Sequence, residues 1–427
     1  MRLKILFQML MLLAVALAIA MFSQSQAQGA TGRLQSTAAA TGNPTPSITA
    51  TPLPTLRADL MGIQAYANLG PQQWAGPNGI IDLASFMGFK WIKIQVSWKE
   101  LEPTKGQYSP QVDAIVKNVF DAGKRTFKIL LSVSKAPDWA RPASARGQYD
   151  GPPANPQDLI DFLNALYGRL EMSFVQAIEI WNEPNTINEW TGAPLNAAAY
   201  LKFFNPVYQS IRAKYPGVVV ITAGPAPTGG ANGAVNDRQW LQDLYAAGLT
   251  KTDPNLAIGA HPYGWANPPD ARCCQPANTP PGWNDHPTFF FLDTLNDYRA
   301  IMVKNGHSSG KIWATEFGWS TFDGLHFQSH ANGPAALPPA DPGLGWMNLI
   351  TETQQAEYIV HAFGLAQTGN LAEFMGPMML WNMNFSTLPT YIPAPPAPSL
   401  PEAGFSLLDS DWHPRPAYQL IQAVPKH

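Results

Sequence analysis

The sequence has 427 residues and is 45% apolar, enough for a core in one large domain or two to three small ones, which excludes a disordered chain. Lys plus Arg (27) nearly balance Asp plus Glu (30), and the net charge of −3 gives no field that would draw the chain to nucleic acid or an acidic surface. Two cysteines exclude a disulfide-built scaffold or a cysteine-based metal cluster, while 14 Trp, 13 Tyr, 41 Pro and 34 Gly with only 13% charged residues describe long ordered loops rich in aromatic rings.

Arg2 and Lys4 precede an apolar stretch over residues 5–22 broken only by Gln8, and Ser25-Gln26-Ala27 follows as a small-x-small cleavage pattern. The pattern predicts a signal peptide over residues 1–27 and a secreted or cell-surface protein. The alternative is an uncleaved anchor, since about 18 apolar residues reach the edge of spanning length. That leader would be the only membrane contact, and no cysteine follows it to carry a bacterial lipid. Residues 28–57 are Thr, Pro, Ala, Ser and Gly with almost no large side chains, the composition of a flexible linker. The folded body is therefore predicted over residues 58–427.

Within that body β-runs alternate with helical patterns. The predicted strands cover residues 61–66, 91–98, 126–134, 177–181, 218–223, 257–261, 312–316 and 378–382. Ser109-Pro110 and Asn155-Pro156 read as N-caps with Pro at the first helical position, and Gly123 as the end of the helix that Ser109 starts. Further helices are predicted over 197–214, 237–247, 289–305, 353–367 and 416–423. Eight strand–helix repeats indicate an α/β fold with a parallel sheet closed into a (β/α)8 TIM barrel.

The period-two parity agrees. Ile92, Ile94 and Val96 oppose Lys93, Gln95 and Ser97, and Phe127, Ile129, Leu131 and Val133 oppose Lys128, Leu130, Ser132 and Ser134. The apolar sets would meet the helices and the other sets would point inward, giving a polar barrel interior suited to a binding site. In such barrels the chemistry lies on the loops that leave the C-terminal strand ends.

The fourth strand runs Ile178-Glu179-Ile180-Trp181-Asn182-Glu183-Pro184-Asn185 and the seventh Ile312-Trp313-Ala314-Thr315-Glu316-Phe317-Gly318-Trp319. Glu183 and Glu316 thus fall at two strand tips across one barrel mouth, the placement that glycosidic bond cleavage asks of a proton donor and a nucleophile or base. A single strand-end acid is more often a cap or an ion-pair partner; the pair is what points to chemistry.

Trp181-Asn182-Glu183-Pro184-Asn185 and Thr315-Glu316-Phe317-Gly318 resemble the acid/base and nucleophile motifs of the retaining (β/α)8 glycoside hydrolases of clan A, with the β-xylosidase-like and cellulase-like families most similar. The resemblance spans the body: Trp98, Glu102-Pro103 and Gly106-Gln107-Tyr108 are similar to the clan's second-strand loop, His261-Pro262-Tyr263 to the sixth strand, Trp381 to the eighth, and residues 411–418 to the closing segment. It implies a secreted retaining β-glycosidase with a carbohydrate substrate and no cofactor. Glu183 would be the acid/base, which must hold its proton, helped by desolvation beside Trp181 and the charge of Glu316. Glu316 would be the nucleophile, Asn182 the donor to the sugar 2-hydroxyl, and Tyr263 the hydrogen-bond partner of Glu316, with His261 bracing that wall or serving as a structural imidazole. No second histidine stands at ligand spacing from His261, so no metal is expected. One position departs from the clan: an Arg that supports the nucleophile in many members is replaced by Lys93, which keeps the charge but loses the bidentate fork. Lys93 either supports Glu316 or pairs with Glu179.

Sugar rings stack on aromatic faces. Trp98, Trp139, Trp190, Trp265, Trp319 and Trp381 fall at or just beyond predicted strand ends and are subsite candidates, with loop packing as the other role open to each; Trp91 and Trp313 begin strands and read as core. Residues 264–288 and 320–350 form two long Pro/Gly/Asn-rich segments that should wall the cleft and decide between endo and exo action. Cys273 and Cys274 are either joined as neighbours or reduced. A metal-dependent barrel hydrolase would need His/Asp clusters at several strand ends, which the sequence lacks. A non-catalytic carbohydrate-binding barrel is the remaining alternative, and the presence of both glutamates argues against it.

Overall fold

Eight parallel strands close in sequence order in the computed structural model, which describes residues 53–274, 283–328 and 333–427. The predicted leader, and the predicted linker up to residue 52, lie outside the described residues. The strands are β1 (Met61–Gln64), β2 (Trp91–Ser97), β3 (Lys128–Ser134), β4 (Val175–Ile180), β5 (Val219–Thr222), β6 (Leu256–Ala260), β7 (Ile312–Phe317) and β8 (Met375–Leu380). Closure comes where Gly62 of β1 lies opposite Met379 of β8. The helices α1 (Pro71–Ala75), α2 (Ile80–Phe86), α3 (Trp98–Leu101), α4 (Gln111–Lys124), α5 (Pro156–Tyr167), α6 (Ala197–Lys214), α7 (Asp237–Ala246), α8 (Phe291–Lys304), α9 (Glu352–Ala366) and α10 (Pro416–Ala423) follow the strands. No helix of the described residues is long and apolar enough to cross a membrane.

Local chemistry explains most helix starts and two departures. Asn155 caps α5 by accepting from the Gln157 N–H at 3.1 Å, with Pro156 as the first helical residue. Pro110 is itself the N-cap of α4 rather than its first residue. Gly123 does not end that helix, which continues to Lys124; glycine is needed because a Cβ there would meet the Phe174 ring at 2.1 Å. β8 begins three residues before its predicted start, and Pro377, which has no N–H to give, falls at the register irregularity against β7.

The parity reading holds for the outer face: Ile92, Ile94, Val96, Ile129, Leu131 and Val133 join the large core under the helices. The inner face is layered, and its lower layer corrects the expectation of a polar interior. Trp91, Leu130, Ala177, Ile221, Ala257, Trp313 and Met379 form a separate apolar plug, with the Trp91 and Trp313 rings edge-on at 5.0 Å. Polar side chains occur above it, where Lys93 and Glu179 are fully buried and paired. The body also begins slightly earlier than predicted. Leu56 is buried because its N–H donates to Pro425 O (2.9 Å) and its carbonyl accepts from His427 N–H (3.0 Å), clasping the two ends of the barrel chain.

Candidate active site

The chain leaving β4 turns sharply. Trp181 (φ +81°) and Glu183 (φ +40°) both adopt left-handed backbone that side chains disfavour, which costs about 1–3 kcal/mol each and persists only where surroundings enforce it. The enforcement is visible. The buried Trp181 indole N–H donates to Glu189 O (2.9 Å), Trp181 N–H donates to Val133 O (3.0 Å), and Glu183 N–H donates to Gly224 O (3.2 Å). This bend lifts the Glu183 side chain into the mouth of the barrel, where it remains 26% exposed.

Glu316, at the end of β7, is buried among donors. Lys93 Nζ lies 3.0 Å from its Oε1, the Tyr263 hydroxyl donates to its Oε2 at 2.9 Å, and His261 Nδ1 lies 3.8 Å from the same oxygen. Burial would raise the Glu316 carboxyl, but the Lys93 and His261 charges and the Lys93 and Tyr263 hydrogen bonds outweigh it and hold the group below the usual carboxylate range. Lys93 serves both acids that the sequence offered it. Its ammonium also lies 3.1 Å from Glu179 Oε2 and donates to Thr315 O at 3.1 Å. Burial pulls Lys93 down, yet Glu179 and Glu316 together leave it above the ordinary lysine value. The ammonium donates to Glu316 Oε1 and Thr315 O and forms an ion pair with Glu179, so a compact tripod of contacts stands where the clan's arginine fork would.

Glu179 is the buried counter-charge of this tripod, and its Oε1 accepts from Gly224 N–H at 3.2 Å. Replacement by Gln is expected to cost about 1–3 kcal/mol and to lower the melting temperature. Unchanged melting and unchanged activity would remove any role for the Lys93–Glu179 pair.

His261 lies between the carboxylates. Its Nδ1 is hydrogen-bonded to Glu183 Oε1 at 2.9 Å and its Nε2 is 4.0 Å from Glu179 Oε1. Burial lowers this imidazole, but Glu316 and Glu183 outweigh it and raise its proton affinity above that of free histidine. Glycine at 224 makes the approach possible, because a Cβ there would meet His261 Cδ2 at 2.4 Å. Among the described residues, Glu183, His261 and Glu316 bring ligand atoms within 4.8 Å of one another. A cation there would have to displace the His261–Glu183 hydrogen bond and sit beside the Lys93 ammonium, which opposes it.

These groups open into a cleft of about 760 Å³ that Asn182, Glu183, Tyr263, Glu316 and Trp381 all line. Residues 50–352, well over half of the chain and including both glutamates, match the family described as cellulase (glycosyl hydrolase family 5). The chain belongs to that family. It is a glycoside hydrolase of the retaining (β/α)8 clan A, with carbohydrate as its substrate class. Solved structures share the fold at low identity. A family 39 glycoside hydrolase from the gut symbiont Bacteroides cellulosilyticus WH2 matches with TM-score 0.57 and 20% identity over 86% of this chain, which spans 63% of that one. A monomeric β-xylosidase from Caulobacter crescentus CB15 matches with TM-score 0.52 and 18% identity, covering 87% of this chain and 68% of that one. An exo-β-1,4-mannosidase from Opitutaceae bacterium strain TAV5 matches with TM-score 0.52 and 16% identity, covering 88% of this chain and 61% of that one. No curated protein matches significantly.

Several aromatic expectations need correction in this family 5 barrel. Trp98 and Trp319 are fully buried and show the cleft no ring face: the Trp98 indole N–H donates to Glu102 Oε2 (2.8 Å) and that of Trp319 to Asn267 O (2.8 Å). Trp190 is likewise buried, packed edge-on against Trp181. Trp139 is partly buried but lies outside the cleft lining, with its N–H on Glu102 O (2.9 Å), Trp98 against it and Lys105 over its ring. Trp265 and Trp381 do line the cleft. Both long segments reach it, through Trp265 and through Asp341, Gly343, Leu344 and Trp346. Cys273 and Cys274 are joined as a disulfide. Glu189, Trp346, Glu402 and Phe405 also line the cleft and were not singled out from the sequence. Of these only Glu189, six residues after Glu183, carried any signal; the others lie in aperiodic segments that reach the mouth through the tertiary fold alone.

Proposed function

We propose that the protein is a secreted retaining β-glycosidase acting on β-linked oligo- or polysaccharide, with Glu183 as general acid/base and Glu316 as nucleophile. The observation that carries this reading is the close approach of the two carboxyls: one oxygen of Glu183 lies within 4.8 Å of one oxygen of Glu316. A direct double displacement uses carboxyls about 5–5.5 Å apart, whereas inversion needs about 6.5–9.5 Å to admit a water between acid and base. The ionised, donor-braced Glu316 supports the same assignment.

In the first half-reaction a Glu316 oxygen attacks C1 and forms an ester to the sugar. The glycosidic C–O bond breaks and Glu183 gives its proton to the departing oxygen. In the second, Glu183 takes a proton from water as that water attacks C1, and the ester bond to Glu316 breaks. Asn182, buried beside Glu183, reaches the 2-hydroxyl, and Trp381 lies beneath the reacting ring. Two of the structural relatives are described as a β-xylosidase and an exo-β-1,4-mannosidase, which supports the β-linkage.

Proton NMR of an aryl β-glycoside digest tests the stereochemistry. The β-anomer of the free sugar should appear first and mutarotate later; an α-anomer appearing first contradicts the reading. Export is tested separately by N-terminal sequencing of the protein outside the cell, which should begin at Gln28.

A further inference from the structure

The cleft wall beside the proton donor carries a further carboxyl that the double displacement does not use. Glu189 lines the cleft together with Asn182 and Glu183. Its backbone is fixed from two sides. The Glu189 carbonyl accepts from the buried Trp181 indole N–H at 2.9 Å. The next residue, Trp190, is buried edge-on against Trp181 with ring centroids 6.0 Å apart, and its own indole N–H donates to Pro194 O at 3.0 Å. The chain that leaves β4 on the strained turn at Trp181 thus returns to it at Glu189.

Packing between two tryptophans does not ask for a carboxyl. Among the described residues Glu189 Oε2 is buried with no hydrogen-bond partner, which costs stability that an apolar side chain would not. Burial pushes the Glu189 carboxyl up to about 8; the Glu183 and Asp150 charges add to burial, while the Lys135 charge and the Asn182 amide oppose it. What the carboxyl does meet is therefore the Asn182 side chain. A carboxyl oxygen accepts from an amide N–H, so this contact turns the Asn182 NH2 group toward Glu189 and leaves Asn182 Oδ1 as its end without a protein partner. Asn182 is 7% exposed and stands between the left-handed residues Trp181 and Glu183, so its backbone is set. Its terminal torsion is still a broad one, and needs a partner to choose which end of the amide faces which way.

We propose that Glu189 is a positioning residue for the reaction: its carboxyl fixes the Asn182 amide so that the second N–H of that group is held toward the 2-hydroxyl of the reacting sugar. Glu189 acts through Asn182 and touches no reacting atom. This rests on the Asn182 assignment above and adds to it the side chain that sets the contact.

The test measures Glu189→Leu and Glu189→Gln, in wild type and in Asn182→Ala, on the p-nitrophenyl β-glycoside that the enzyme prefers and on its 2-deoxy analogue. Glu189→Leu should lower kcat/KM about tenfold on the parent glycoside and less than about twofold on the 2-deoxy analogue. The loss should fall mainly in kcat, because the 2-hydroxyl contact strengthens in the transition state. Glu189→Gln, uncharged like the protonated acid and still offering a carbonyl to Asn182, should recover most of the loss. In the Asn182→Ala background Glu189→Leu should change kcat/KM less than about twofold. Both variants remove a buried carboxyl and should melt at or above wild type; should Glu189→Leu not fold, Glu189→Met carries the same expectation. Equal losses on the two substrates, Gln as poor as Leu, or a full loss persisting in Asn182→Ala overturns the positioning role. Asn182→Ala itself distinguishes this from a failure of the reading beneath it: equal losses on both substrates in that variant would remove the 2-hydroxyl assignment of Asn182, and the inference with it. Full turnover by Glu316→Gln would instead overturn the glycosidase mechanism, and the two-substrate comparison would still decide the role of Glu189.

Discussion

The Glu316→Gln variant is expected to lose about four orders of magnitude or more in kcat, the scale seen when a covalent nucleophile is removed and only binding and electrostatics remain. Gln preserves shape and can still accept from Lys93 or from Tyr263, but it cannot form the ester to C1. The loss should therefore be independent of leaving group. Glu183→Gln should behave differently: a departing aryl oxygen that needs no proton escapes the loss, and one that needs it does not. Activity of Glu316→Gln on a dinitrophenyl glycoside within tenfold of wild type would end the assignment of this residue as nucleophile.

Lys93→Met is expected to have the largest effect on stability. Lys93 lies 3.0 Å from Glu316 and 3.1 Å from Glu179, all three inside the barrel. Removing this ammonium leaves two buried carboxylates with His261 as their nearest positive charge, a loss of about 3–5 kcal/mol. The sign with pH follows from the shifts. Glu316, lowered by Lys93 and His261 against the opposing effect of burial, adds stability above the ordinary carboxylate range, and this is lost as pH falls through its lowered value. Lys93, raised by its two acids, adds stability below the ordinary lysine range that is lost as pH rises through its raised value. Wild type should thus be most stable between those ranges. In Lys93→Met the Glu316 carboxyl takes up its proton more readily, so the acid limb of kcat/KM should move to higher pH and the stability deficit should shrink on acidification. Thermal melts between pH 4 and pH 8 check this; a constant deficit across that window would mean that Lys93 acts through volume rather than charge.

The eight strands and the two glutamates were legible because each β-run is short, apolar and bounded, and because both acids sit immediately beyond such runs. Direction was harder to read. Trp98, Trp319 and Trp381 all stand just beyond strand ends, but strand-end position does not tell which way a ring turns, and two of the three turned into the core. Lys93 looked like a choice between two acids because a sequence pairs residues one at a time; in the barrel, β2, β4 and β7 bring both acids to one ammonium. Trp346 lies in a segment with no period to read and enters the cleft only because that segment folds back over the mouth. The apolar plug of Trp91, Leu130, Trp313 and their neighbours was half legible: the two tryptophans read as core, but parity alone assigned the whole inner face to polar groups.

The central claim is that Glu316 carries the sugar during turnover, and trapping that species tests it most directly. A 2-deoxy-2-fluoro β-glycoside with a dinitrophenyl leaving group should inactivate the enzyme with loss of one dinitrophenolate. Intact mass should then rise by one fluoroglycosyl group, and peptide mapping should place that group on Glu316. A label on Glu183 or elsewhere, or steady hydrolysis of the reagent through an inverted product with no label at all, would contradict the account.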